Sequence, residues 1–436
     1  MRRWLLTAAA LLALLTPTAP AAAQQPPPEA IAGVRLARAR ETRAFTEHHL
    51  QHLAGGPDCP QAVFVSYAMS DAAPNVSAQW FDVSQIWADL GLAPPGEPLS
   101  RCWASRGFTF LDRLWDRSEP SGGFFPRSDL DGEQVMRPDK WADDNSLAGL
   151  TWMEAAQRAP EPLERELMLG RARATADFLM NSGVWDDTFG GGFWWNTRHG
   201  DTEEGKPAQT NGLAAEFFLQ LYGLTGQPIY REWAVKTLVW LDSKLFDRSG
   251  QLYRWSVHFK DLKQRQGEVV EDRFFNYDQG ILIEANLLAY RNLGGDQRYL
   301  ERARAVGRRI DPVFWDQENG GYDLEAGLAQ VYTAYSAWLT QSLLMLYAQD
   351  PDPYWPDRAS ANVDALNSSL WDAGNGGYYQ RHYLCRDPSP PGCGSGARTA
   401  FDPQKDTVAQ AWMQRTQALL ATTLLKQATP LGSPSP

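Results

Sequence analysis

Val184-Trp185-Asp186-Asp187-Thr188-Phe189-Gly190-Gly191-Gly192-Phe193-Trp194 is one of five variants of a single pattern: an aromatic-Asp pair, then glycine, then a second aromatic. The others are Leu114-Trp115-Asp116 with Gly122-Gly123-Phe124-Phe125, Leu245-Phe246-Asp247 with Gly250-Gln251-Leu252-Tyr253, Phe314-Trp315-Asp316 with Gly320-Gly321-Tyr322, and Leu370-Trp371-Asp372 with Gly376-Gly377-Tyr378-Tyr379. The leading aromatics stand at 115, 185, 246, 315 and 371, so successive units are 70, 61, 69 and 56 residues apart. Self-similarity at such a period marks repeated supersecondary units sharing one core, not separate domains.

Each unit holds two helical stretches. The one before the aromatic-Asp pair is amphipathic: between Tyr230 and Leu245, Ala234, Leu238, Leu241 and Leu245 share a face, with Arg231, Lys236 and Asp242 largely off it. The one after the glycine turn is apolar nearly all round, as in Ile281-Leu282-Ile283-Glu284-Ala285-Asn286-Leu287-Leu288-Ala289-Tyr290. The first kind suits an outer layer and the second an inner one. Inner helices are expected near 30–53, 141–158, 208–226, 274–294, 330–349 and 404–426. Outer helices are expected near 100–116, 163–182, 228–246, 296–312 and 353–370, with Ala78 to Leu90 as the sixth or an added helix. Six inner helices ringed by outer ones make an all-α (α/α)6 toroid over residues 30–427.

The ends of the chain read differently. Met1 to Ala23 has Arg2 and Arg3, an apolar stretch from Trp4 to Leu15 and Ala21-Ala22-Ala23, the pattern of a secretory signal peptide. Residues 24–29 form a Pro-rich lead-in, and 428–436 are expected to be disordered. No later stretch has the roughly 18 uninterrupted apolar residues of a spanning helix. The expected protein is therefore secreted or periplasmic, and a monomer. Its formal net charge is −11, and removal of the two signal arginines makes it −13. That balance argues against nucleic acid or an anionic membrane as partner. The 18 Trp, 15 Tyr and 18 Phe suit sugar stacking as well as a core. Cys385 and Cys393 bracket a short loop and can form a local staple, leaving Cys59 and Cys102 as the other pair. Neither pair has metal-site spacing with histidines, so no zinc and no other cofactor is expected.

The chemistry points to Lys140-Trp141-Ala142-Asp143-Asp144-Asn145-Ser146, where two adjacent carboxylates precede the apolar-periodic run Leu147, Leu150, Met153. Asp, Asn and Ser also cap helices, so capping is one reading. The other is a catalytic pair: like charges on neighbours raise one pKa while the other group stays ionised, the division into acid and nucleophile that glycoside cleavage uses. Every outer helix ends at an aromatic-Asp turn that feeds the N-terminus of the next inner helix, so the aromatic turns and Asp143 and Asp144 share one face. Asp186-Asp187 is a rival pair, beside a turn where Asp often bonds its own backbone.

Trp185-Asp186-Asp187-Thr188-Phe189-Gly190-Gly191-Gly192-Phe193-Trp194-Trp195-Asn196, Thr210-Asn211-Gly212-Leu213, Asn276-Tyr277-Asp278-Gln279-Gly280 and Trp141-Ala142-Asp143-Asp144-Asn145 resemble the motif blocks of glycoside hydrolase family 76. The resemblance runs from about Ala78 to Gln427. It implies an (α/α)6 endo-α-1,6-mannanase that retains anomeric configuration, with Asp143 as nucleophile and Asp144 as general acid/base. Trp141, Asn145, Trp194, Trp195, Asn211, Tyr277, Asp278 and Gln279 are the candidate substrate-binding residues. Of these, Trp194 and Trp195 suit a stacking wall, Asn211 and Gln279 suit sugar hydroxyls, and Asp278 suits a sugar or the tuning of the pair. Asn145 and Asn211 also suit helix caps. The chain departs from the family where Ser146-Leu147 replace aromatics and where Asp278 replaces Asn. The partner implied is a polysaccharide, α-mannan. Alternatives are a transglycosylase on the same scaffold, a catalytically silent glycan-binding toroid, a helical scaffold for protein partners, and a sugar epimerase. The last would want paired inner-helix histidines, and only the first inner stretch has them, at His48, His49 and His52.

Overall fold

The computed structural model describes residues 26–54, 61–64, 67–68, 76–92, 101–118, 120–129, 139–159, 161–199, 205–318, 320–386, 393, 397–402 and 404–428. The signal sequence and the tail beyond Ala428 lie outside the described residues, as does the Cys59–Cys102 pairing. The lead-in is shorter than expected: Pro28 is already the first residue of a helix, where its missing N–H costs nothing.

Twelve helices account for most of the described chain. They are α1 (Pro28–His49), α2 (Gln79–Leu92), α3 (Arg101–Arg113), α4 (Ala142–Arg158), α5 (Pro162–Asn181), α6 (Ala208–Thr225), α7 (Pro228–Lys244), α8 (Asn276–Asn292), α9 (Gln297–Phe314), α10 (Thr333–Tyr347), α11 (Tyr354–Ser369) and α12 (Thr407–Ala428). The inner ring closes in the order α2, α4, α6, α8, α10, α12 and back to α2, each helix packed on the next. α3, α5, α7, α9 and α11 each lie outside the inner helix that precedes them, and α1 lies outside α12. The fold is the (α/α)6 toroid.

Two helices exchange the places that periodicity assigns them. Residues 30–53 are expected inside, but α1 is an outer helix, and Arg38, Glu41 and Glu47 carry ion pairs along its outer side. The stretch from Ala78 to Leu90 is expected outside, but α2 is an inner helix whose residues from Asp82 to Leu90 are all buried. The polar groups of α2 mask its inner character, because their partners are other buried side chains: Gln85 donates to Asp89 at 2.8 Å, and Arg43 pairs with Asp89 at 2.7 Å. The packing of α1 on α12 joins the first and last described helices.

The five aromatic-Asp patterns are antiparallel turns, pairing Trp115 with Phe124, Trp185 with Phe193, Phe246 with Tyr253, Trp315 with Tyr322 and Trp371 with Tyr378. In each turn the aspartate accepts a backbone N–H two residues on, as from Ser118, Thr188, Ser249, Glu318 and Gly374. Glycine is required where the return strand meets the outer helices: Gly192 has φ +91°, and a Cβ there would sit 2.5 Å from Trp240.

Two buried devices fasten the turns to the ring. The fourth residue of four inner helices is an amide that brackets the backbone of the second turn aromatic. Phe193 N–H donates to Asn211 Oδ1 at 2.7 Å while Asn211 Nδ2 donates to the Phe193 and Pro207 carbonyls. Asn145 does the same for Phe124, Gln279 for Tyr253 and Gln410 for Tyr378. In addition, a lysine just before an inner helix reaches back to the turn aspartate: Lys140 to Asp116 at 2.6 Å, Lys206 to Asp186 and Lys405 to Asp372, both at 2.7 Å. Burial alone would raise the Asp116 carboxyl, but Lys140 and Ser118 donate to it and hold it at about 2. The Cys385–Cys393 staple is present, with Cα atoms 5.2 Å apart.

Both the amides and the acids buried in the ring lend themselves to test. Asn211→Leu keeps the volume but strands the N–H and C=O of Phe193, so it is expected to cost roughly 3 kcal/mol in a urea titration. Glu284, inside the ring, is pushed up to about 7 by burial, against hydrogen bonds from Ser342 and Gln341. Its raised pKa means that the folded chain holds the proton more tightly than the unfolded one. The resulting stability is complete below the ordinary value of 4.5 and is lost as pH rises toward about 7. Glu284→Gln should flatten the fall in melting temperature between pH 5 and pH 8, and an unchanged fall would contradict this assignment.

Candidate active site

Inner-helix N-termini converge on one face of the toroid, around a cleft of ≈ 430 Å³. The second residues of α4, α6 and α8, namely Asp143, Gln209 and Tyr277, all line it. One turn deeper, Leu147, Leu213, Ile281 and Trp338 form its floor, each the sixth residue of its helix. Residues four apart stack on one helical face, so the repeat itself builds the cleft in layers. The wall opposite α4 comes from Tyr335 of α10, whose ring lies 4.4 Å from that of Tyr277, and Trp80 of the neighbouring α2 stacks on Tyr335 at 6.5 Å.

Asp143 and Asp144 occupy the first turn of α4 and both face the cleft. Asp143 is held by two donors: Trp195 Nε1 gives to Oδ2 at 2.8 Å, and the Asp144 backbone N–H gives to Oδ1 at 2.9 Å. The capping reading is thus partly right, since one first-turn N–H is satisfied by Asp143. The Asp144 carboxyl receives no hydrogen bond among the described residues, while its backbone carbonyl accepts Gln79 Nε2 at 2.8 Å. Both side chains keep some surface open to the cleft, yet the walls crowd them enough to strip most of their hydration. Burial raises the Asp143 carboxyl to about 6, with the Trp195 and Asp144 hydrogen bonds opposing it. Burial and then the Asp143 charge push Asp144 well above the ordinary range, with Arg127 opposing. The two adjacent acids are therefore unlike: one favours the anion and the other keeps its proton.

Trp195 reaches Asp143 because its strand is pinned at both sides. Its carbonyl accepts Ala142 N–H at 2.9 Å, its own N–H donates to Gly205, and Trp141 pairs with Asn196. The Trp141 and Trp195 rings meet edge-on at 3.9 Å. Trp194, one residue earlier, points to the other side, as alternation along a strand requires. It is buried against Phe259, Phe189 and Lys206 and does not line the cleft.

Of the expected site residues, Asp143, Asp144, Trp141, Trp195 and Tyr277 come together in the cleft. Asn145, Asn211 and Gln279 do not line it; they are the buried amides that hold the turns. Asp278 is fully buried behind Tyr277, and neither of its oxygens has a well-formed hydrogen bond among the described residues. Burial raises its carboxyl well above the ordinary range, with the Gln209 backbone opposing. Asp186 of the rival pair is committed to its turn and to Lys206. His48 and His49 sit at the end of α1, in the outer ring.

Sequence reading missed Trp80, Phe81, Arg127, Gln209, Trp255, Tyr335 and Trp338, all cleft residues. The signal for Trp255 was in the repeat: Pro126, Trp195 and Trp255 each stand two residues after the second turn aromatic, and all three line the cleft.

No curated protein sequence matches the chain. The chain superposes on the family 76 α-mannanase of Bacteroides thetaiotaomicron with TM-score 0.66 at 17% identity, covering 92% of this chain and 99% of that one. For the α-1,6-mannanase from Salegentibacter sp. the values are 0.65, 18%, 89% and 99%. A sugar epimerase from a ruminal bacterium gives 0.64 at 14% identity, covering 87% and 98%, so the toroid by itself does not fix the reaction. The family model described as Glycosyl hydrolase family 76 matches residues 133–343, the segment that carries Asp143, Asp144, Trp195 and Tyr277. On that match, residues 133–343, just under half of the chain, are a glycoside hydrolase family 76 segment.

Proposed function

We propose that the protein is a secreted retaining endo-α-1,6-mannanase. The observation that carries this reading is the unlike pair: Asp143 bound by two donors, Asp144 by none among the described residues. In the first step Asp143 attacks the anomeric carbon and Asp144 gives its proton to the departing glycosidic oxygen. In the second step Asp144, now a carboxylate, takes a proton from water, which attacks the same carbon and frees Asp143. Adjacent residues on one helical turn suit the short carboxyl separation of retention better than the wider spacing that inversion needs. Aromatic walls from Trp141, Trp195, Trp255 and Trp80 suit stacking on a neutral sugar chain.

The α-1,6 linkage is supported by the Salegentibacter enzyme, of which an inactive variant with two aspartates changed to asparagine is seen in complex with α-1,6-mannotriose. Secretion is supported by the pattern of Met1 to Ala23, and among the described residues no helix is long and apolar enough to cross a membrane.

The test is to incubate mature protein, Asp143→Asn and Asp144→Asn with linear α-1,6-mannan, following product size and anomeric configuration by NMR. Wild type should release α-configured oligosaccharides, and each variant should lose roughly a thousandfold in kcat. The acid limb of kcat/KM should fall near pH 6, because Asp143 must be ionised and its carboxyl is raised to about 6. Binding without turnover would replace this reading with a glycan-binding toroid, and products lengthened by an added acceptor sugar would replace hydrolysis with transfer.

A further inference from the structure

Arg127 is the one cation among the described residues that line the cleft, and it lies outside the segment matched to the family. No acid pairs with it within 4.0 Å among the described residues. Its position is nonetheless fixed. The strand Arg127–Asp129 pairs antiparallel with Val76–Ala78, placing Arg127 opposite Ala78. The next residue, Gln79, is fully buried and serves both sides: its N–H donates to the Pro126 carbonyl at 3.0 Å, and its side chain donates to the Asp144 carbonyl at 2.8 Å. One residue thus ties the strand that carries Arg127 to the helical turn that carries Asp144.

We propose that Arg127 is a positioning residue that steadies the carboxylate of Asp144 once its proton has passed to the departing sugar. The inference rests on the retaining reading above. In that step the Asp144 O–H bond breaks, the proton joins the glycosidic oxygen, and the charge left on Asp144 has little else to balance it. The titratable and charged groups among the described residues that share the cleft with Asp144 are Asp143 on its own helix, Tyr277 from α8, Tyr335 from α10 and Arg127 from the strand. Asp143 is anionic or esterified, and both phenols are raised by burial and stay neutral. Among the described residues only Arg127 opposes the negative charge, and its field lowers the Asp144 carboxyl against burial and Asp143. Arg127 is exposed in the open cleft, where water screens it; a glycan filling the cleft displaces that water and strengthens the interaction.

The test compares wild type, Arg127→Gln and Arg127→Lys on a linear α-1,6-manno-oligosaccharide across pH. Arg127→Gln should move the alkaline limb of kcat/KM upward by about one unit and lower kcat about tenfold with little change in KM, and Arg127→Lys should restore most of both. In parallel, carboxyl carbon NMR of the free protein should show Asp144 titrating higher in Arg127→Gln than in wild type. An unmoved limb and an unmoved titration, or a change in KM alone, would overturn the proposal. Absence of turnover in wild type would count against the mannanase reading instead, and the carboxyl titration would still decide the role of Arg127.

Discussion

The site depends on a backbone strand held by a side-chain amide. Four inner helices place Asn or Gln one turn from their start, and each amide takes both hydrogen-bonding groups of a turn residue that would otherwise be buried without partners. This fixes the register between every such turn and the ring. Once Phe193 is locked to Asn211, Trp195 two residues on must face the cleft, and its indole N–H meets Asp143. The lysine–aspartate pairs close the other end of the same turns, so the rim is stiff without a regular sheet.

That stiffness sets the electrostatics of the pair. Desolvation acts on both carboxyls, so burial alone would leave Asp143 and Asp144 alike. The difference comes from where donors are placed: the indole and a first-turn N–H both go to Asp143. Their combined preference for the anion, together with the charge that results, leaves Asp144 as the group that keeps the proton. A donor carried on a mobile loop would give the same chemistry only part of the time.

Much of this was legible in sequence. The repeat pointed to the toroid, the face and the pair, because helices apolar nearly all round, recurring at a steady interval, bury every side only when ringed by others. What escaped was context that periodicity does not encode. α2 carries Gln79, Asp82, Gln85 and Asp89, which look solvent-facing until their buried partners are known. Asn145, Asn211 and Gln279 are the right residue types for binding sugar, and the same donors and acceptors serve a backbone strand equally well. Trp194 and Trp195 were separable by strand alternation, but the strand is too short to announce itself. The cleft residues of α2 and α10 come from units whose turns lack the family blocks.

A sixfold scaffold offers the same first-turn positions repeatedly, and only one became the acid pair. The second and third residues are Asp143 and Asp144 in α4, Gln209 and Thr210 in α6, Tyr277 and Asp278 in α8 and Ala334 and Tyr335 in α10. Asp278 has the rank of Asp144 in its helix, yet it lies sealed behind Tyr277 with no well-placed donor on its oxygens among the described residues. A buried carboxyl in that state is held neutral by its surroundings and has no route to a substrate. Reactivity at equivalent positions is therefore decided by neighbours. α4 has Trp195 from the turn that follows it and Arg127 from the strand before it, and α8 has neither. The repeat supplies positions, and the neighbours that α4 has, Trp195 and Arg127, make one of them a pair of unlike carboxyls open to the cleft.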